Sequence, residues 1–391
     1  MRHSDIWGDF FMYTVIVSIL TAVLTSSAAF AADYEIPANG TLADAIKSAN
    51  ANPDNDTYDI KISGSSADNG TIRKSTSITG DETAELSGTL SFSGTGISSV
   101  LKDLTFSSGS TQAILNGTMG SGNAQNLVID NVTFEQRKLY GFGGSIQNIG
   151  NLTIQNNSLF TQNKGDYGGA IYHGANTLTI NGSKFSENTA TSSGGAVNNT
   201  GTLFVTGSTF EKNYSVYYGG AIETSGNTDI KGTTFSDNHA SEGGAIRMTG
   251  KKGSLNISGS SFINNYTSFN SQGVSDYGGA INSVGKLNIS DTQFQNNRST
   301  EGGAIKISNS SSEVLINGSR FTGNYAAVRN GGAIDQSNGT LTVNNTIFSQ
   351  NHTDNAQGNG GAIHTSSDAK LTDSGTSFLK NYPVKVNGGG L

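Results

Sequence analysis

"FSENTATSSGGAV", residues 185–197, contains a phenylalanine, an asparagine three positions later, and a glycine pair followed by two small apolar residues. Nearly the same words recur along the chain. The Phe-x-x-Asn word occurs nine times, at Phe160/Asn163, Phe185/Asn188, Phe210/Asn213, Phe235/Asn238, Phe262/Asn265, Phe294/Asn297, Phe321/Asn324, Phe348/Asn351 and Phe378/Asn381. The Gly-Gly-Ala-Ile/Val word begins at Gly168, Gly194, Gly219, Gly243, Gly278, Gly302, Gly331 and Gly360, with a near match at Gly143. Repetition every 24 to 35 residues, most often 25, is typical of a repeat protein.

A third element, of the type Leu-x-Ile or Leu-x-Val, precedes most of these phenylalanines by seven residues. All three elements are short, alternate between apolar and polar residues, and are bounded by Gly, Asn or Ser, which is typical of strands between turns. Three such strands make one coil of about 25 residues, and stacked coils form parallel sheets at about 4.8 Å spacing. The sequence therefore predicts an all-β fold, a right-handed parallel β-helix.

This architecture gives each word a structural role. One phenylalanine per coil predicts an internal column of rings, in which each burial contributes about 2 kcal/mol. The asparagines predict a buried ladder of amide hydrogen bonds. The glycine pair predicts a turn with unusual φ, or a close approach of backbones where no Cβ fits.

The ends of the chain differ from the repeats. Residues 1–31 have an uncharged apolar stretch and end in "AFA", so we expect an export signal peptide cleaved after Ala31. Residues 32–60 are expected to form an amino-terminal cap, with a short helix that buries Leu42, Ala45, Ile46 and Ala49. Residues 61–391 are expected to form the β-helix, and "NGGGL" at 387–391 begins a further coil that the chain does not complete.

Composition excludes several functions. The net charge of −7 comes with no Lys/Arg cluster, so nucleic acid is not expected as a partner. The absence of cysteine excludes disulfides, zinc–thiolate sites and thiol nucleophiles. No cofactor or metal motif is present, and His173 and His364, which each follow a glycine word, are expected to be solvated.

Aromatic residues concentrate between each Phe-x-x-Asn word and the next glycine pair. We take ten of them as candidate ligand-binding residues: Tyr140, Phe142, Tyr167, Tyr214, Tyr217, Tyr218, Tyr266, Phe269, Tyr277 and Tyr325. Since coils stack in register, these rings are expected to form a stripe along one edge, next to a loop enlarged at residues 264–277. The alternative is that each ring covers the glycine-rich corner of its own coil.

Catalytic patterns of β-helix enzymes are mostly missing. Asn227-Thr228-Asp229 and His173-Gly174 match two parts of a polysaccharide-hydrolase pattern, but they occur in reversed order and without its Asp-Asp and Arg-Ile-Lys parts. No acidic cluster with a basic residue suggests a calcium-dependent lyase. An enzyme of this class would require carboxylates that converge on one sheet face, whereas scattered Asp and Glu would argue against it.

The alternating GGA[IV] and FxxN words resemble the polymorphic membrane protein repeats of chlamydial autotransporter adhesins. The resemblance covers roughly residues 134–391. It implies a β-helical passenger outside the cell that attaches to a protein or glycan of a host or neighbouring cell. In that family both words are taken as the hallmark of adhesion, which would map attachment to the nine FxxN and eight GGA[IV] sites given above.

Two features depart from the family. The resemblance implies a carboxyl-terminal barrel as membrane anchor, which we do not expect within residues 1–391, and the absence of cysteine departs from chlamydial members. We therefore expect an exported, non-catalytic bacterial surface adhesin or passenger, and a β-helical polysaccharide lyase or glycoside hydrolase is the alternative.

Overall fold

A computed structural model describes residues 32–35, 41–53, 57–117, 125–267, 276–309, 312–354 and 358–383. For residues 32–35 it describes the backbone alone. The expected signal peptide, Phe269 and the end of the chain from residue 384 lie outside the described residues. The described chain is an all-β parallel solenoid, as predicted, with four sheets of 14, 13, 9 and 12 strands that we name A, B, C and D in their order around a coil. Each strand pairs in parallel with the equivalent strand of the next coil.

The strands of sheet A are Ala32–Glu35, Tyr58–Ile62, Thr76–Gly80, Ser98–Lys102, Asn126–Asp130, Asn151–Gln155, Thr177–Asn181, Thr202–Thr206, Thr228–Lys231, Ser254–Ser258, Lys286–Ser290, Glu313–Asn317, Thr340–Asn344 and Lys370–Ser374. Those of sheet B are Ser65–Ser66, Glu85–Leu86, Thr105–Phe106, Thr133–Glu135, Leu159–Thr161, Lys184–Ser186, Thr209–Glu211, Thr234–Ser236, Ser261–Ile263, Gln293–Gln295, Arg320–Thr322, Ile347–Ser349 and Ser377–Leu379. Those of sheet C are Lys164–Tyr167, Thr189–Ser193, Tyr214–Ser215, His239–Ala240, Tyr266–Thr267, Arg298–Ser299, Tyr325–Ala326, His352–Thr353 and Tyr382–Pro383. Those of sheet D are Gly70–Ile72, Leu90–Phe92, Ile114–Asn116, Ile146–Asn148, Ile171–His173, Val197–Asn199, Ile222–Thr224, Ile246–Met248, Ile281–Ser283, Ile305–Ile307, Ile334–Gln336 and Ile363–Thr365.

The single helix of the described residues, α1 (Leu42–Ala51), covers the amino-terminal end of the solenoid. Thr41 caps it by accepting a hydrogen bond from the Asp44 N–H, and the predicted face of Leu42, Ala45, Ile46 and Ala49 is buried. Asn50 fixes the helix to the first coil, since its side chain donates to Thr71 O (2.7 Å) and accepts from Arg73 N (2.9 Å). No helix in the described part of the chain is long and apolar enough to span a bilayer.

The predicted column of phenylalanines runs through the interior on sheet B. Consecutive rings stack with centroids 4.5 to 5.2 Å apart, which is close to the strand spacing. Phe106 and Phe134 extend the column toward α1, although neither begins a complete word. Phe378, in the last described coil, stacks on Phe348 but is half exposed.

The asparagines form the predicted ladder. In a representative rung, Asn213 Nδ2 donates to Asn238 Oδ1 of the next coil (3.0 Å) and to Phe185 O of the previous coil (3.0 Å). Its Oδ1 accepts from the backbone N (3.1 Å) and the side-chain Nδ2 (2.9 Å) of Asn188. The same contacts repeat from Asn188 to Asn351, so each of these amides connects three coils without leaving its own polar groups unpaired.

The ladder keeps its geometry across the coils that differ in length. Nδ2 donates to Oδ1 of the next asparagine at 2.9 to 3.0 Å from each of Asn265, Asn297, Asn324 and Asn351. Insertions between words therefore leave the position of the word asparagine unchanged.

Both glycines of the second word are required by the backbone. Gly194 has a φ of +66°, and a Cβ there would lie 2.2 Å from Val197 O. A Cβ on Gly195 would lie 2.0 Å from Gly220 O in the next coil. The word therefore combines the two roles that its pattern suggested, a left-handed turn and a close approach between coils.

The coils contain one strand more than predicted. From residue 164 onward, sheet C adds a fourth strand between the Phe-x-x-Asn word and the glycine pair. Its strands are mostly two residues long, too short to produce an alternating pattern in the sequence.

A buried arginine marks the change from three-stranded to four-stranded coils. Arg137 occupies the asparagine position of the coil that starts at Phe134, and its backbone N donates to Asn163 Oδ1 (3.1 Å). Its fully buried guanidinium extends toward the earlier coils, where it donates to the carbonyls of Ser87, Gly88 and Ser107 at 2.8 to 3.1 Å. Burial lowers the pKa of this guanidinium.

The residue before each asparagine of the word is also constrained. In eight of the nine words it is a non-glycine residue with φ between +53° and +57°, as at Glu187 and Lys212, and in the ninth it is Gly323. Left-handed backbone costs an L-residue about 1–2 kcal/mol. The left-handed position recurs in every Phe-x-x-Asn word because it turns the chain from sheet B toward sheet C.

Candidate contact surface on sheets C and D

Most of the candidate rings in the described residues lie in two columns and not in a single stripe. The first, the sheet C column, is the outward position directly after each word asparagine. It consists of Lys164, Thr189, Tyr214, His239, Tyr266, Arg298, Tyr325, His352 and Tyr382. Tyr214, Tyr266 and Tyr325 are therefore equivalent residues, as the repeat predicted.

Rings of the sheet C column stack on one another. His239 lies between Tyr214 (4.3 Å between centroids) and Tyr266 (4.7 Å), and His352 lies between Tyr325 (4.8 Å) and Tyr382 (5.3 Å). These contacts occupy ring faces, so the column presents mainly ring edges, with phenol hydroxyl and imidazole groups, to solvent. Burial lowers the pKa of His239.

The second column lies directly before the glycine pairs, and we call it the corner column. It consists of Phe142, Tyr167, Ser193, Tyr218, Glu242, Tyr277 and Glu301. Tyr140 and Tyr217 lie in the turn just before it, and both are exposed. Phe269 and most of the predicted 264–277 loop, residues 268–275, lie outside the described residues, so this part of the site stays a prediction.

The word asparagines, in contrast, are closed to any partner. Those with no exposed surface are Asn163, Asn188, Asn213, Asn238, Asn265, Asn297, Asn324 and Asn351. Asn381, in the last described coil, is half-buried. The expectation that attachment maps to the FxxN sites themselves is therefore corrected. A fully buried amide cannot touch a ligand outside the solenoid, so these asparagines hold the coils together.

The corner column faces the outer positions of sheet D across a seam. Those positions are Tyr172, Asn198, Glu223, Arg247, Asn282, Lys306, Asp335 and His364, each of which follows a GGA[IV] word by one residue. Most of these polar residues are buried, although they point away from the solenoid core. Sequence reasoning did not predict the seam. Comparing the residue that follows each GGA[IV] word between repeats would have revealed its charges.

One group of charges in the seam surrounds Arg247. Its Nε donates to Glu242 Oε2 (2.7 Å), its Nη1 to Glu223 Oε1 (3.2 Å), and the guanidinium lies 3.8 Å from the centroid of the Tyr218 ring. Burial raises the pKa of Glu223 to about 7, and the nearby Glu242 adds to this, while Arg247 and a hydrogen bond from Thr249 oppose it. Glu223 is thus a buried carboxyl that titrates near neutral pH.

A second group surrounds Lys306. Its Nζ donates to Glu301 Oε2 (2.7 Å) and to Asp335, and the ring of Tyr277 lies 5.2 Å away. Arg329 donates to Glu301 Oε1 (2.6 Å). Burial lowers the pKa of Lys306, but its contacts with Asp335 and Glu301 outweigh burial and leave the pKa raised. Lys306 therefore stays charged and holds the two carboxylates together.

His173 is not solvated as expected, and His364 is only partly exposed. His364 Nδ1 lies 2.6 Å from Asp335 Oδ1. His173 is fully buried inside sheet D, where its Nδ1 lies 2.7 Å from Asn148 Nδ2 and its Nε2 lies 3.3 Å from Asn176 O. Since an amide nitrogen can only donate, this geometry assigns the neutral Nε2–H tautomer. Burial lowers the pKa of His173 to about 4.

The structure separates the residues that partly matched a hydrolase pattern. His173 lies inside the solenoid, and Asp229 lies on the outer face of sheet A, where it accepts from Asn256 Nδ2 (2.5 Å). Four carboxylates, those of Glu223, Glu242, Glu301 and Asp335, nevertheless lie along the seam. Each of the four contacts Arg247 or Lys306. Within the described segments, no group of three or more acidic or histidine side chains could hold a metal ion.

Fold and surface together define a parallel β-helix repeat protein. The family model described as Chlamydia polymorphic membrane protein (Chlamydia_PMP) repeat matches residues 232–248 and 345–366. Each match contains one FxxN word followed by one GGAI word, so the predicted resemblance to these repeats is confirmed. No curated protein and no solved structure matches the chain. The repeat family is not an enzyme family, and with the β-helix it indicates a surface-associated repeat protein.

Proposed function

We propose that this protein is a non-catalytic bacterial surface adhesin, or the passenger of one, exported and held at the outer membrane or released outside the cell. The observation that carries the proposal is the pair of side-chain columns along sheets C and D. Equivalent outward positions repeat at about 4.8 Å over many coils, so a partner can contact several of them at once. The partner class is a protein or glycan of a host or neighbouring cell.

The interior supports this role because it makes the solenoid a stiff carrier. The phenylalanine column and the asparagine ladder connect each coil that carries a Phe-x-x-Asn word to its neighbours. Outward residues can then vary without disturbing the core, because stability in a solenoid depends on nearest-neighbour contacts between coils. A long surface with a fixed core suits attachment and display.

Attachment can be measured with beads coated with the intact protein. Replacing Tyr214, Tyr266 and Tyr325 by serine should reduce bead binding to cells at least tenfold, because clustered tyrosines commonly dominate contact energies. The matched control replaces Thr209, Thr234 and Arg320 of sheet B with alanine, at outward positions on the same or adjacent coils. Unchanged binding by the tyrosine variant, with its circular dichroism intact, would remove the sheet C column from the contact surface.

A polysaccharide-cleaving enzyme is the second candidate, and Glu223 is the observation that favours it. A carboxyl with a pKa of about 7 can act as a general acid at neutral pH. Glu223 is, however, buried and held by Arg247. Incubation with acidic and neutral polysaccharides should release no new reducing ends or unsaturated products. Release that disappears in Glu223→Gln would favour the enzyme.

A further inference from the structure

Two lysines lie side by side at the start of the sheet C column. Lys138 and Lys164 occupy bridged positions on neighbouring coils, about 4.8 Å apart along the ladder, and both are exposed. Like charges directly opposite one another destabilise a sheet. Among the described residues, no ion pair includes Lys138 or Lys164. The pair is therefore a local positive site on a protein whose net charge is −7.

Exposed rings lie beside this pair. Tyr140 is 84% exposed, and Phe142 and Tyr167, at 39% and 41%, stack with centroids 5.4 Å apart. Phe142 also contacts Tyr172, at 4.5 Å between centroids. Unlike the stacked rings of the sheet C column, the largely exposed ring of Tyr140 leaves its faces open to a ligand.

The combination fits an anionic sugar. A carboxylate or sulfate group can pair with the two ammonium groups, while the apolar face of a sugar ring packs on an aromatic face. A nearby carboxylate, Asp166, accepts a hydrogen bond from Thr191. A peptide is less suited, because strands on both sides already pair these coils and leave no free edge for strand addition.

We propose that Lys138 and Lys164, with Tyr140, Phe142 and Tyr167, form a binding subsite for an anionic glycan. The subsite rests on the proposed attachment function and specifies its ligand class. Lysines fix the anionic group, and the rings fix the sugar ring beside it.

Binding of oligosaccharides of equal length tests the subsite by calorimetry with the intact chain. The probes are a non-sulfated uronic acid oligosaccharide, a sulfated one and a neutral one. At least one anionic probe should bind more tightly than the neutral probe, and Lys138→Gln with Lys164→Gln should weaken it about tenfold. The control, Lys212→Gln with Lys286→Gln, removes two exposed lysines elsewhere and should leave binding unchanged. Tyr140→Ser should weaken binding without changing its salt dependence.

A thermal melt separates binding from folding, since removing the repulsive lysine pair should leave the melting temperature unchanged or raise it. Equal binding of all three probes, binding undiminished in the lysine variant, or preference for an acidic peptide of matched charge would each overturn the subsite. Cell attachment is measured in parallel with the same beads. Attachment that persists without glycan binding would overturn the subsite alone, whereas a chain that attaches to no cell would overturn the proposed function.

Discussion

Replacing Asn213 by alanine tests the amide ladder at its centre. The change removes four hydrogen bonds, two donated by Nδ2 and two accepted by Oδ1. The backbone N–H and the side-chain Nδ2 of Asn188 lose their shared acceptor, and Phe185 O and Asn238 Oδ1 each lose a donor. All of these groups are in the interior, out of contact with bulk water.

The structure gives the expected size of the effect. A buried polar group left without its partner costs about 1–3 kcal/mol, and some of the affected groups keep one other contact. We therefore expect Asn213→Ala to lower the free energy of unfolding by about 4 kcal/mol. The matched control is Asn181→Ala on the exposed face of sheet A, which should change it by less than about 0.5 kcal/mol.

Aspartate at the same position provides a sharper test. Asn213→Asp keeps the acceptor for Asn188 but places a negative charge against Phe185 O and Asn238 Oδ1. Its loss of stability should exceed that of alanine at pH 8 and shrink as the pH falls, because protonation restores one donor. Alanine should show no such dependence beyond that of the unmodified protein.

Urea unfolding followed by far-ultraviolet circular dichroism measures these differences, and hydrogen exchange locates them. Exchange should accelerate in the coils around residues 185–240 of Asn213→Ala. If Asn213→Ala lowered the free energy of unfolding by less than about 1 kcal/mol, and by no more than Asn181→Ala does, the ladder would add little to stability. The same result with aspartate at every pH would refute the reasoning entirely.

Three further predictions concern buried or strained groups. Because the pKa of Glu223 is raised, the free energy of unfolding should increase by about 3 kcal/mol as the pH falls from about 7 to 4.5. Because the pKa of His173 is lowered, the free energy of unfolding should decrease by about 3 kcal/mol as the pH falls from about 6.5 to 4. With the Glu223 contribution removed, Glu223→Gln should therefore lose stability as the pH falls, and adding His173→Gln to that variant should abolish the loss. Urea midpoints measured at each pH test this. Lys212→Gly should raise the free energy of unfolding by about 0.5–1 kcal/mol, because glycine adopts a φ of +53° without strain, whereas Lys212→Ala should not raise it. Equal effects of the two substitutions would show that the backbone at this position is not strained. Lys306→Met should lower the free energy of unfolding by about 3–5 kcal/mol, and markedly less when Asp335→Asn accompanies it; an undiminished loss in the double variant would contradict the pairing.

The repeated words were sufficient to predict the solenoid and its internal columns. Equivalents of Phe185 and Asn188 recur once per coil, and a residue that recurs once per coil in a parallel stack must lie above its equivalent. The resulting register determines both the ring column and the amide ladder. Sequence reasoning could therefore predict the core without any knowledge of side-chain contacts.

The missed features have a common physical cause, because each depends on contacts between coils that a single word does not encode. Arg137 was not predicted to be buried, since a charged residue ordinarily faces water, and its burial requires the carbonyls of Ser87, Gly88 and Ser107 to converge. The two-residue strands of sheet C have no readable alternation. Similarly, the charges of the seam become partners only after Arg247 and Glu223 are stacked on neighbouring coils.

Distances between spin labels test the central claim, that consecutive coils stack in strict register. The chain has no cysteine, so labels can be attached to introduced cysteines alone. Lys184 on sheet B lies four strands from Gln293 and six from Ile347 in one outward column. Pulsed electron paramagnetic resonance should give narrow distributions separated by about 10 Å, near 19 Å for the first pair and 29 Å for the second, allowing for label length. Equal or broad distributions for the two pairs would contradict the stacked register.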